Sequence, residues 1–128
     1  MFAELEKIFG KQKFDPDTVI YQQNDTDRNG YILRNGKIEL NWRHGDKVIE
    51  RGVFISSGQV FGVFTSLFNA EARRWTATTV MASEIITIPE KVLAKKIEDM
   101  DPFLRYCLFQ WYALEHSSKQ NWRKASSY

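Results

Sequence analysis

The sequence predicts a mainly β domain, a sandwich or barrel of antiparallel strands with helices at both ends. Three observations lead there. Short runs of β-branched and aromatic residues alternate with turn formers from Phe14 to Ile88. Apolar residues at helical spacing open the chain, and a second, aromatic-rich helical pattern follows Pro89. A chain of 128 residues suits one domain with a single core. Strands are expected over about 14–88 and C-terminal helices over about 89–118 of that 1–128 domain.

Taken in order, Phe2, Leu5, Ile8 and Phe9 form the apolar side of a short helix that Gly10 stops. Phe14-Asp-Pro-Asp turns into a strand ending near Gln23, and Asn24 to Gly30 is a polar loop. Tyr31 to Arg34 is the next strand. Asn35-Gly36 then predicts a two-residue hairpin. Ile38, Leu40 and Trp42 alternate with polar residues, the mark of a half-buried strand, and His44-Gly45-Asp46 turns into another from Lys47 to Phe54.

The stretch from Gly58 carries the chemistry. Gly62 lets backbone N–H groups approach a ligand, and a helix over Val63 to Phe68 would aim its free N–H groups at an anion. In the strand from Arg74 to Ala82, alternation puts Arg74, Thr76, Thr78, Val80 and Ala82 on one face. Ile85 to Ile88 is the last strand. Pro89 opens a helix carrying Val92, Leu93 and Ile97, and Asp101-Pro102 opens another. There Leu104, Cys107, Leu108 and Trp111 are expected to cover the strands. Phe103, Tyr106, Phe109 and Tyr112 form a second apolar surface suited to pairing. The tail from Ser117, with Lys119, Arg123 and Lys124 around Trp122, reads as solvated.

Composition excludes several classes. Eighteen basic against sixteen acidic residues leave +2, too little for a general nucleic-acid binder. No apolar run reaches the ~20 residues of a membrane span, and the start lacks a signal-peptide core. One cysteine, Cys107, allows no internal disulfide and fits a reducing cytoplasm. His44 and His116 have no companions at metal-ligand spacing, and Cys107 on an apolar helical face reads as a small core residue. The chain is therefore expected not to be an enzyme and to need no cofactor.

The order and spacing of Phe14, Pro16, Ile20, Tyr31, Ile32, Leu33, Gly36 and Ile38, then Phe61-Gly62 and Val80-Met81-Ala82, resemble the cyclic-nucleotide-binding domain. This is the sensor module of catabolite-activator-type regulators, cyclic-nucleotide-dependent kinases and gated channels. The resemblance covers roughly 14–115. It implies an antiparallel β-roll, a double-stranded jelly roll, with an N-terminal helix and C-terminal hinge and dimer helices. Asp17 and Asn24 stand where the family often has glycine. Val63 stands where its cassette has the Glu that grips the ribose. Counted along the strand, the phosphate-gripping Arg becomes Thr76; counted from Gly62, it falls at Arg73 or Arg74. The strand count is preferred, because burial fixes register while loops vary.

The resemblance thus implies a pocket at Phe61, Gly62, Val63, Phe64, Arg74, Trp75, Thr76 and Ala77 with both polar anchors altered. The expected function is a non-enzymatic regulatory or sensor module, with weak or lost nucleotide binding, acting through protein contacts. The alternative is a cyclic AMP or cyclic GMP receptor using Arg74 in a variant cassette; a pocket repurposed for a more apolar ligand is a third reading. The expected partner is a second copy, through the C-terminal helix, or another regulatory protein. No membrane is expected, and no direct DNA contact, because the family's DNA-reading helices follow the dimer helix.

Overall fold

The computed structural model describes residues 2–68 and 70–115. His116 and the tail beyond it lie outside the described residues. Two four-stranded antiparallel sheets face each other. The first runs β1 (Gln12–Phe14), β8 (Ser83–Ile88), β3 (Gly30–Asn35), β6 (Val60–Phe61). The second runs β2 (Val19–Tyr21), β7 (Thr76–Thr79), β4 (Lys37–His44), β5 (Lys47–Ser56). Helix α1 (Phe2–Phe9) precedes them, α2 (Phe64–Leu67) sits between β6 and β7, and α3 (Glu90–Glu98) and α4 (Pro102–Glu115) follow. The β-roll with flanking helices is as expected.

Tyr21, Tyr31, Leu33, Ile38, Leu40, Ile55, Phe61, Trp75, Ala77 and Ile85 fill the space between the sheets. The first sheet is apolar on its outer side too. There Ile32, Ile86 and Ile88 meet Phe2, Leu5 and Phe9 of α1 and Val92 and Leu93 of α3. This accounts for the unbroken apolar runs in β3 and β8, which are buried on both faces. Ile8, expected to join the packed face of α1, is exposed instead.

Among the described residues no helix covers the outer side of the second sheet, where a polar ladder runs across the strands. Asn41 donates to Glu39 at 2.8 Å, Arg43 donates to Asn41 at 3.0 Å and to Thr78 at 3.1 Å, and Arg51 pairs with Glu39. Buried polar groups at these positions are therefore satisfied rather than stranded.

One turn differs from expectation, and it has a geometric cause. Asn35-Gly36 does not close a hairpin: β3 and β4 lie in different sheets, and Gly36 is the corner between them. Its φ of 115° and its contact with Ser83 leave no room for a side chain; an added Cβ would lie 2.2 Å from Ser83 Oγ and 2.7 Å from Ser83 Cα. Asp17 (φ 61°) and Asn24 (φ 74°) hold left-handed backbone where the resembled family often has glycine. Asp and Asn tolerate that region better than other L residues, so the turn survives the exchange.

Gly36→Ala should therefore cost about 2–4 kcal/mol of unfolding free energy, as a clash with backbone plus left-handed strain. Gly45→Ala, also left-handed but with nothing within 4 Å, should cost about 1 kcal/mol. Urea unfolding of both variants distinguishes them; equal losses would show that the Ser83 contact is not what constrains the corner.

Candidate functional site

β6, α2, the loop before β7 and β7 itself build the cassette. Gly62 (φ 76°) turns the chain from β6 toward α2. The space its missing Cβ leaves is used by the protein itself. A Cβ there would stand 2.8 Å from the Tyr31 ring and 3.0 Å from Arg73 Nη1. The following helix is a single four-residue turn, and its N-cap, Val63, offers no side-chain hydrogen bond. The Val63 side chain lies close to Gly30 and Leu93, on the α3 side of the roll.

Arg73 is the centre of this region, and it is only 3% exposed. Its Nη2 donates to Asp27 Oδ2 at 2.7 Å and to the Asn29 carbonyl at 2.7 Å. Nε donates to Asp27 Oδ1 at 3.2 Å, and Nη1 donates to the Gly62 carbonyl and to Thr65 Oγ1. The guanidinium also lies 4.2 Å from the centroid of the Tyr21 ring, within cation–π range. The backbone is tied in as well: Arg73 N donates to the Asp25 carbonyl at 2.7 Å and Asn24 N to the Arg73 carbonyl at 2.8 Å.

The electrostatics follow from that packing. Burial alone would push the Asp27 carboxyl up, but the hydrogen bonds and charge of Arg73 outweigh it and hold the group below its ordinary value. Burial opposes the Arg73 charge too, and Asp27 more than restores it. The Tyr21 phenol is pushed far up by burial, with Arg73 opposing, and Tyr31 rises for the same first reason. Both phenols are neutral at any physiological pH.

The strand faces differ from the sequence expectation. Trp75 and Ala77 belong to the core, whereas Thr76 bonds Gln23 and Thr78 bonds Arg43 on the outer side. Val80 and Ala82, whose equivalents the resemblance places facing inward, are exposed in the turn after β7. That turn breaks the two-residue period, so parity counted back from Val80 assigns the wrong face. The alternation Trp75-Thr-Ala-Thr78 was the better signal. Trp75 lies against Gly52, where an added Cβ would meet its ring at 3.1 Å.

Of the expected pocket residues, Phe64, Arg74 and Trp75 meet at an open cleft of about 550 Å³. Its other walls are Asn24, Trp42, Glu50, Ala70, Glu71, Ala72 and Arg73, of which only Arg73 had been considered, as one of two residues at the family's Arg spacing. Phe61, Thr76 and Ala77 are buried and do not line it. At the cassette itself, between Tyr21, Gly62, Phe64, Thr65, Arg73, Arg74 and Trp75, about 10 Å³ remains. That is at most room for a single water.

Helix α4 packs by a different face than predicted. Tyr112 stacks on Phe68 at 4.1 Å and approaches Phe64 at 5.6 Å, and Phe109 meets Phe68 edge-on at 5.4 Å. Leu104 and Trp111, expected to cover the strands, are exposed, as are Cys107, Phe103 and Tyr106. The partners decide this. The cassette helix presents two phenylalanines to the aromatic residues of α4, and ring pairs of this kind contribute beyond their burial.

Among the described residues, no group of three His, Cys, Asp or Glu could hold a metal ion, and no helix is long and apolar enough to cross a membrane. Two facing sheets, a one-turn cassette helix and C-terminal helices packed upon it define a β-roll domain with flanking helices. The chain belongs to the cyclic nucleotide-binding domain family, whose sequence pattern matches residues 11–100.

Solved structures share the fold at low identity. The cyclic AMP-bound EAL enzyme Bd1971 is 13% identical with a TM-score of 0.69, over 84% of this chain and 28% of that one. The catabolite activator protein of Thermus thermophilus is 18% identical with a TM-score of 0.66, over 91% and 55%. The sensor domain of the regulator DNR from Pseudomonas aeruginosa is 15% identical with a TM-score of 0.67, over 84% and 71%. The chain thus spans little more than a quarter of Bd1971 and about half of the Thermus protein. No curated protein matches it.

Asp27→Asn tests the buried pair. Removing one partner of a buried ion pair costs about 3–5 kcal/mol, reduced here to about 2 because Asp27 is a third exposed. A carboxyl lowered by folding contributes stability above its unfolded value, near 3.8, and loses it as pH falls through the folded value. The difference between wild type and Asp27→Asn in urea should thus be full at pH 7 and shrink below pH 3.8. An equal difference at pH 7 and at about pH 2.5 would show that packing, not charge, is responsible.

Proposed function

We propose that this domain is a regulatory module whose cassette is closed on itself, so that it binds cyclic nucleotides weakly and acts through protein contacts made by α4. The observation that carries this reading is the internal neutralisation of Arg73 by Asp27, with about 10 Å³ left beside it. A phosphate entering there must displace a carboxylate already held by two hydrogen bonds. It must do so without the ribose contact that a carboxylate at position 63 would give; Val63 has no polar atom to offer. An unmade hydrogen bond costs about 1–3 kcal/mol and a charge-assisted one more, which together weaken binding by several orders of magnitude.

Calorimetry with cyclic AMP and cyclic GMP tests it: the expected dissociation constants are about 100 μM or weaker. Micromolar binding that disappears in Arg74→Ala would replace this reading with its alternative, a true receptor using Arg74. The position of Arg74 on the wall of the 550 Å³ cleft, beside Trp75, is what favours that alternative.

The protein contact we propose is a second copy. Leu104, Cys107, Trp111 and Leu114 follow one another at spacings of three, four and three residues and are all exposed, Trp111 by 63%. This is the spacing of a helix–helix seam. Phe103 and Tyr106 extend it, while Phe109 and Tyr112 are engaged with α2. A two-fold pairing covers this surface in a closed assembly. Sedimentation should give a dimer at tens of micromolar that Trp111→Glu dissociates. Mild oxidation should link two chains covalently, necessarily through Cys107, the only cysteine. A wild-type monomer at high concentration that does not cross-link contradicts the pairing.

A further inference from the structure

We propose that the open cleft beside the cassette binds a flat, uncharged aromatic molecule stacked on Trp42. The inference rests on the reading that the cassette itself is closed. At about 550 Å³ the cleft has the room that the cassette, with about 10 Å³, lacks. That volume falls in the range of small-molecule sites, which are lined mainly by apolar and aromatic side chains. Here the lining includes three rings. Trp42 stands on the β4–β5 hairpin and is 37% exposed, an indole left partly open to the cleft. Phe64 of α2 and the buried Trp75 border the same space, and Ala70 and Ala72 of the loop before β7 add no polar side chain.

The charged groups of the wall select no ion. Arg73 is answered inside the protein by Asp27. Glu50 and Arg74 each already have a partner. Arg74 also lies near enough to the Tyr112 phenol to oppose the rise that burial gives it. Glu71 is exposed, and an ion pair in water adds little. A charged ligand would therefore give up hydration that these walls do not replace. A neutral ring loses little on leaving water and gains burial and ring contact with Trp42 and Phe64. A cyclic nucleotide stays an anion wherever its base sits, so the same comparison disfavours it.

Three naphthalenes that differ in one substituent test this: 2-naphthol, neutral at neutral pH; 2-naphthoate, an anion; and 2-naphthylmethylamine, a cation. Each is titrated into the whole chain beside cyclic AMP, following backbone amide shifts by NMR. The expected result is one saturable site for 2-naphthol, with a dissociation constant of about 0.1 mM and shifts centred on the β4–β5 hairpin and the loop before β7. Both ions should bind more weakly, by about fivefold. Trp42→Ala should weaken 2-naphthol by about tenfold and Trp42→Phe, which keeps a ring, by much less. Where Trp42→Ala is too unstable to titrate, Trp42→Leu serves in its place. Ile8→Ala, at an apolar position 70% exposed on α1, should change nothing and so separates the cleft from general adsorption. Either ion binding as tightly as 2-naphthol overturns the proposal. So does 2-naphthol binding that loss of the Trp42 ring leaves intact, or no saturable binding at all. If neither the naphthalenes nor cyclic AMP bind, this inference fails while the closed-cassette reading stands. If cyclic AMP binds more tightly than 2-naphthol, both fail.

Discussion

A guanidinium buried to 3% exposure is the constraint around which the rest of this domain is arranged. An isolated buried charge of that kind would cost several kcal/mol, so its neighbours must be placed to answer it. Asp27 supplies the charge, the carbonyls of Gly62 and Asn29 take the remaining donors, and the Tyr21 ring covers one face. The four partners come from three segments: the 22–29 loop supplies Asp27 and Asn29, the β6–α2 turn Gly62 and β2 Tyr21. Fixing Arg73 therefore fixes how the cassette sits on the roll. The glycine at 62 belongs to the same arrangement, since any side chain there would strike Tyr31 and Arg73.

From this centre, bonded contacts reach the helices. Asn29, whose carbonyl accepts from Arg73, uses its side-chain oxygen to accept from Glu90 N at 2.8 Å and so caps α3. Arg28 donates to the Thr65 carbonyl while its own carbonyl accepts from Ser66, binding the loop to α2. Phe64 and Phe68 of the cassette then carry the packing on to Phe109 and Tyr112 of α4. At the turn between α3 and α4, Arg105 donates to the Ile97 carbonyl. A shift of the cassette would therefore be felt at both helices through direct contacts. That is a physical connection between the two regions, not yet a measured coupling.

Most of the fold was legible because strand alternation and turn chemistry are local signals. Ile38 and Leu40, the His44-Gly45-Asp46 turn and Pro89 at the start of α3 read as they fold. What failed were features set by long-range partners. Asn35-Gly36 has the residues of a hairpin, yet the two strands it joins pair with β8, β6, β7 and β5 instead of each other. The faces of α4 could not be sorted from its own sequence, because aromatic residues surround it and only Phe64 and Phe68 decide which pack. At the site, Gly62, Phe64, Arg74 and Trp75 were in view. Arg73 was seen as one of two candidates by spacing and passed over, since nothing local to it announces a carboxylate 46 positions away. Trp42 was placed with Ile38 and Leu40 on the buried face but is 37% exposed; the register shift between Glu39 and Asn41 against β5 interrupts the alternation before it.

The closed cassette also changes what a ligand would have to accomplish. In a sensor that buries an arginine without an internal counter-ion, the empty state is destabilised, and ligand binding relieves that cost. Here the arginine is already answered from within: Asp27 is held ionised by Arg73, and Arg73 remains charged because of Asp27. Trp75 rests on Gly52 in the core between the sheets. A ligand shifts a conformational equilibrium only by its difference in affinity for the two states. An anion aimed at Arg73 must first match what Asp27 already provides, so it starts with a deficit. Phe64 lines the neighbouring cleft and is also in ring contact with Tyr112. The cleft wall therefore touches α4 through one aromatic pair that does not include the buried arginine.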